Sequence, residues 1–127
     1  MIVLDASAAL SGILNSGAAR DIMGSEQIHA PHLIDSEVVS GLRRMVTGGR
    51  ITAEEGWGAL DTWRHLGLTR YATHGLFDRI WELRDNLSAY DAGYVALAEG
   101  LGCSVVTAHE RLGRAPGVRC VVMMVPR

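Results

Sequence analysis

The chain predicts a three-layer α/β/α sandwich built on a central, mostly parallel sheet. Two observations carry that expectation. Short apolar, β-branched runs alternate along the chain with segments whose apolar residues recur at helical spacing. The first run, residues 1–4, is apolar throughout, the pattern of a strand buried on both faces inside a parallel sheet. With no internal repeat, linker or low-complexity segment, residues 1–127 read as one domain.

Asp5 ends the first strand, and Ser7 is expected to cap a helix over residues 8–14. Asn15-Ser16-Gly17 breaks it, a short helix over 18–24 follows, and 27–30 is a brief second strand. Pro31 suits the first position of a long helix reaching about Thr47, with Ile34, Val38, Leu42, Met45 and Val46 as its apolar stripe. Thr52-Ala53-Glu54-Glu55 reads as a capping box opening a helix that ends near Gly67. Its Trp57 and Trp63 are expected to pack, with a subunit contact as one place for them. Residues 68–73 read as a strand and 74–84 as a helix. Ser88 caps the next helix, which stops at Gly100 or Gly102. A strand over 103–107, a polar loop from Ala108 and a last strand over 119–125 complete the order.

Hydrophobic residues make up 48% of the 127, enough for a real core. A net charge of -2 supplies no global basic field, so nucleic acid would have to bind through a local patch. All 12 cationic side chains are arginine, which suits forked phosphate contacts. Cys103 and Cys120 fall in predicted strands without metal-ligand spacing and read as buried free thiols. No basic leader and no run long enough to span a membrane is present, so a cytoplasmic, soluble protein without a membrane partner is expected.

The carboxylates are the chemically informative residues. Asp5 stands at the carboxyl end of a strand expected at the sheet centre, where open α/β sheets collect ligands, although an acid there also serves as a turn residue capping the next helix. Asp91 shares a helical stripe with Tyr94, Val95, Ala98 and Leu101, so an acid faces inward, although an acid in the first turn also serves the helix dipole. Asp35 and Glu37 both lie near the start of the long helix, and periodicity does not choose between them. Three acids brought to one sheet edge would repel one another, and a divalent cation relieves that repulsion. Oxygen ligands in this number suit Mg²⁺ or Mn²⁺.

The segments I-V-L-D-A-S, A-P-H-L-I-D-S-E-V-V-S-G-L-R-R, L-S-A-Y-D-A-G-Y-V-A-L-A-E and V-V-T-A-H-E-R-L together resemble the PIN-domain toxins of VapBC toxin–antitoxin pairs. The likeness covers essentially the whole chain, in order and at the right spacing. It implies a metal-dependent endoribonuclease, a homodimer, and an antitoxin peptide lying across the active-site groove. It selects Glu37 over Asp35, so that Asp5, Glu37 and Asp91 hold Mg²⁺ or Mn²⁺, and it places Ser7, Asn86 and Thr107 in support.

One position departs from the family pattern. His109 stands where the T-A-D-x-R-L motif has Asp, removing a negative charge and a hard ligand from a place in the catalytic set. The alternative is therefore a weakened module that keeps dimerisation and antitoxin binding. Arg43, Arg44 and Arg50 flank the long helix and Arg111 and Arg114 the last loop, and a patch of them around the acids, Arg43, Arg44 and Arg111 foremost, is the candidate for RNA phosphates. His29, His32, His65 and His74 show no ligand spacing and read as surface or packing residues. A phosphorylation-switch protein is excluded because that machinery needs a lysine, and an aspartyl phosphatase is disfavoured because Ser7 stands where its second Asp belongs.

Overall fold

The computed structural model describes residues 1–127. Five strands, β1 (Ile2–Leu4), β2 (Ile28–Pro31), β3 (Thr69–Tyr71), β4 (Ser104–Thr107) and β5 (Val122–Met124), form one sheet in the order β3-β2-β1-β4-β5. Every neighbouring pair is parallel, so the sheet is wholly rather than mostly parallel. β1 lies at its centre with Ile2, Val3 and Leu4 buried, as an uninterrupted apolar run requires.

The chain winds outward from β1 through α1 (Ala6–Leu14) and α2 (Ala18–Ser25) to β2, then through α3 (Ile34–Thr47) and α4 (Ala53–His65) to β3. It returns past β1 by way of a 3-10 turn (Thr73–Leu76), α5 (Phe77–Glu82) and α6 (Ala89–Leu101) to β4, and α7 (Glu110–Arg114) leads to β5. Because parallel crossovers are right-handed, reversing the winding direction moves the helices to the other face. Helices α1 to α4 accordingly pack together, while α6 packs with α5 and over β1, β2 and β4. The reversal lies between β1 and β4, the switch point where such sheets open a crevice at their carboxyl edge.

Local chemistry sets the element ends. The Thr52–Glu55 capping box forms as expected. Ser88 caps α6, and Gly102, at φ +67°, ends it in the left-handed region that favours glycine. Gly41 lets α3 approach α1, since a Cβ there would stand 2.4 Å from Leu10.

Several expectations fail at boundaries. Asp5, not Ser7, is the N-cap of α1, because its carboxylate reaches the Ala8 amide at 2.9 Å. Pro31 closes β2 instead of opening α3, which starts at Ile34. The fixed φ of proline serves a strand end as well as a helix start. The polar stretch after Ala108 includes helix α7, and part of the segment assigned to one helix over 74–84 is the 3-10 turn. Cys103 and Cys120 lie just outside the strands, free and half-buried. Trp63 is buried but Trp57 is exposed, with Arg64 over its ring. No helix is long and apolar enough to cross a membrane.

Candidate active site

A cleft of about 750 Å³ opens at the carboxyl edge of the sheet, and Asp5, Glu37, Asp91 and His109 all line it. Asp5 arrives from β1, Glu37 from the first turns of α3, Asp91 from the first turn of α6, and His109 from the residue just before α7.

Asp5 is 3% exposed. One of its oxygens accepts from the Ser7 hydroxyl at 2.6 Å and the Ala8 amide at 2.9 Å, and the other accepts from the Thr107 hydroxyl. Strand pairing makes the Thr107 contact. Leu4 is in register with Val106, which brings the next residue of each strand side by side at the sheet edge. Ser7 also accepts from the Ala108 amide at 2.8 Å, tying the start of α1 to the end of β4. Burial pushes the Asp5 carboxyl above its ordinary range, against the opposing hydrogen bonds of Ser7, Thr107 and Ala8 and the influence of His109.

Glu37 is half-buried and accepts from the Tyr94 hydroxyl at 2.8 Å. Burial is the main cause of its raised pKa. Tyr94 opposes the rise, and repulsion from Asp91 and Asp5 adds to it. Burial beside Glu37 pushes the Tyr94 phenol upward, so Tyr94 acts here as a neutral donor. Asp91 differs from the other two in facing a cation, with Arg111 at 3.5 Å.

A desolvated set of oxygen donors that repel one another fits a hard divalent cation. No three His, Cys, Asp or Glu side chains stand close enough to form a preassembled cage, so the cleft brings the acids to one place without closing them on a common point.

The remaining candidates divide. Ser7 and Thr107 hold Asp5 directly. Asn86 does not join them: it is exposed, donates to the Pro116 carbonyl at 3.1 Å, and lines a separate shallow pocket. Arg44 lines the cleft, Arg43 does not, and Arg111 is the partner of Asp91. Asp35, the other acid at the start of α3, turns away and accepts from Trp63 and Arg70. Arg50, which follows the long helix and was grouped with Arg43 and Arg44 on the sequence, also lines the cleft, whereas sequence reasoning missed Arg127 in the cleft wall and the bond from Tyr94 to Glu37. The Tyr94 signal was available, since Tyr94 lies one helical turn beyond Asp91 and on the same face. His29 bonds the Tyr71 hydroxyl at 2.7 Å between β2 and β3, away from the cleft.

Residues 2–118 match the PIN domain family model. The chain is 56% identical over 127 residues to ribonuclease VapC9 of Mycobacterium tuberculosis, with all of both chains covered. It is 38% identical over 128 residues to ribonuclease VapC1 of the same species, covering 97% of this chain and 96% of that one. Among solved structures, VapBC2 from Rickettsia felis bound to a DNA fragment from the VapBC2 promoter superposes with a TM-score of 0.68 at 15% identity, covering 96% of this chain and 97% of that one. That likeness speaks for the fold, while the sequence identities speak for the family. The cleft that gathers Asp5, Glu37 and Asp91 is thus found in a chain that belongs to the PIN-domain family and, within it, to the VapC ribonucleases.

Proposed function

We propose that the chain is the toxin of a type II toxin–antitoxin pair, an endoribonuclease that hydrolyses RNA phosphodiester bonds with the aid of Mg²⁺ or Mn²⁺. The observation that carries this reading is the convergence of three acids from separate elements on one cleft, with Asp5 buried between two hydroxyls. Asp5, Glu37 and Asp91 are the residues to hold the cation. When bound, such an ion supplies Lewis acidity toward the phosphodiester and lowers the pKa of water.

The protein's own part is positioning. Ser7 and Thr107 fix the orientation of the Asp5 carboxylate, and Tyr94 fixes that of Glu37. Arg111 stands 3.5 Å from Asp91, and with Asp91 holding the cation that guanidinium would be free for an RNA phosphate. Arg44, on the cleft wall, is the other candidate for phosphate contact. The cognate antitoxin is a peptide lying across the same groove, a partnership supported by the family and by the VapBC2 structure. A homodimer is supported by the family and by large apolar side chains left exposed, Phe77 and Trp81 on α5 and Trp57 on α4. Size-exclusion chromatography with light scattering tests it.

A second reading, a weakened enzyme that keeps antitoxin binding, draws support from His109, whose Nδ1 lone pair is already taken by Arg127. One experiment separates the two. Antitoxin-free wild type, His109→Asp and Asp5→Asn are incubated with total cellular RNA and Mg²⁺ or Mn²⁺. Cleavage by the wild type and none by Asp5→Asn supports the enzyme. Cleavage by His109→Asp alone favours the weakened module, and silence from all three folded proteins overturns the nuclease assignment.

A further inference from the structure

The segment after β5 enters the cleft at the position where this chain departs from the family pattern. The Val125 amide donates to the Thr107 carbonyl at 2.9 Å and Val125 is buried, so the strand pairing continues past β5. The Ser11 hydroxyl then donates to the Pro126 carbonyl at 2.7 Å, tying the segment to α1. With proline restricting its backbone, Arg127 lines the cleft together with the acids.

Arg127 Nη2 lies 2.8 Å from His109 Nδ1. A guanidinium only donates, so Nδ1 must be the acceptor and His109 carries its proton on Nε2. That contact occupies one of five N–H donors on Arg127. The other arginines near the acids are differently placed. Arg111 is already paired with Asp91, whereas Arg44 and Arg50 line the cleft without a carboxylate partner. Positive charge therefore enters the cleft from two places, the end of α3 with its following loop and the segment after β5.

We propose that Arg127 is a substrate-binding residue of the ribonuclease, its guanidinium taking an RNA phosphate while His109 holds it over the cleft. The position at which the family carries an acid thus belongs here to a pair that receives the substrate's charge. Arg44 and Arg50 take a flanking phosphate of the same strand. This inference rests on the ribonuclease reading and names a residue that reading does not require.

The test compares wild type, Arg127→Gln, Arg127→Lys and, as a matched loss of charge outside the cleft, Arg119→Gln. Binding of a short fluorescein-labelled single-stranded RNA of mixed sequence is followed by anisotropy in EDTA across a salt series, so that no cleavage accompanies it. Arg127→Gln is expected to weaken binding about tenfold at low salt and to reduce the salt slope by about 0.7, the contribution of one phosphate contact on a single strand. Arg127→Lys should recover most of both losses, and Arg119→Gln should leave the slope as in wild type. In cleavage assays with Mn²⁺, Arg127→Gln should raise KM more than it lowers kcat.

Equal behaviour of Arg127→Gln and Arg119→Gln overturns the proposal, since only net charge would then matter. Tighter binding or faster cleavage by Arg127→Gln also overturns it, by showing that Arg127 blocks the cleft. If wild type neither binds nor cuts RNA, the ribonuclease reading falls together with this one. If wild type does both and Arg127→Gln matches it, this inference alone falls.

Discussion

Asp35 and Glu99 have what Asp5 and Glu37 lack. Asp35 accepts from the Arg70 guanidinium at 2.6 and 2.9 Å, a pairing that holds its carboxyl below the ordinary range. Burial works against Glu99, but Arg79 and the Arg119 amide outweigh it and the carboxyl is again lowered. Asp5 and Glu37 meet only hydroxyls and, for Asp5, one amide, and both are raised by burial. The fold therefore pairs Arg70 and Arg79 with acids that pin elements together and leaves Asp5 and Glu37 with partners too weak to neutralise them. Asp91, beside the exposed Arg111, is intermediate.

The strongest way to break this contrast is to remove a cleft charge. Asp5→Asn keeps an oxygen for the Ala8 amide while deleting a desolvated carboxylate. It should abolish detectable RNA cleavage while leaving the thermal midpoint unchanged or higher. A fall in the midpoint alongside the lost activity would mean that Asp5 is a structural acid after all. Thr107→Val removes a support for Asp5 rather than the charge, and should lower metal affinity or activity by about 10–100-fold. Calorimetric Mn²⁺ titration checks it independently of turnover.

Asp35→Ala tests the other side. Trp63 is buried, and its indole N–H donates to Asp35 at 2.8 Å. The unpaired N–H should cost about 1–3 kcal/mol in urea denaturation. The ion pair itself adds little, being substantially exposed. RNA cleavage by the folded fraction should not change.

The two groups of acids should also leave opposite signatures in pH. The folded pKa of Asp35 lies below 3.8, so its stabilisation is present above that value and is lost as pH falls through the folded pKa. Asp5 and Glu37 are raised above 3.8 and 4.5, so between those values and their folded pKa the metal-free fold binds more protons than the unfolded chain. Its stability therefore falls as pH rises through that window. Denaturation midpoints in EDTA should show a shallower acid-side decline in Asp35→Asn, Glu99 keeping its share, and a shallower decline toward neutral pH in Asp5→Asn. The smallest effect is expected from Arg111→Ala, which should strengthen Mn²⁺ binding by no more than about fivefold, the scale of an exposed ion pair.

Much of this was legible in the chain. The buried β1 run, the Thr52 and Ser88 caps and the alternation of strand and helix gave the layered parallel sheet, because each is written in neighbouring residues. The choice between Asp35 and Glu37 was not, since both follow the same helix start and differ only in what other elements bring to them: Trp63 and Arg70 to one, Tyr94 to the other. Asn86 was placed with the cleft by resemblance, yet it serves the Pro116 turn. Arg127 carried no local signal, because its place depends on how β5 pairs with β4.

The bond between Thr107 and Asp5 spans 102 residues. During synthesis the first acid emerges long before the hydroxyl that fixes it, and β4 cannot pair with β1 until residues 104–107 are outside the ribosome. A nascent or prematurely terminated chain therefore carries the acids without the frame that aims them. The order in which the strands are made thus puts the aiming of Asp5 among the last steps in assembling the cleft.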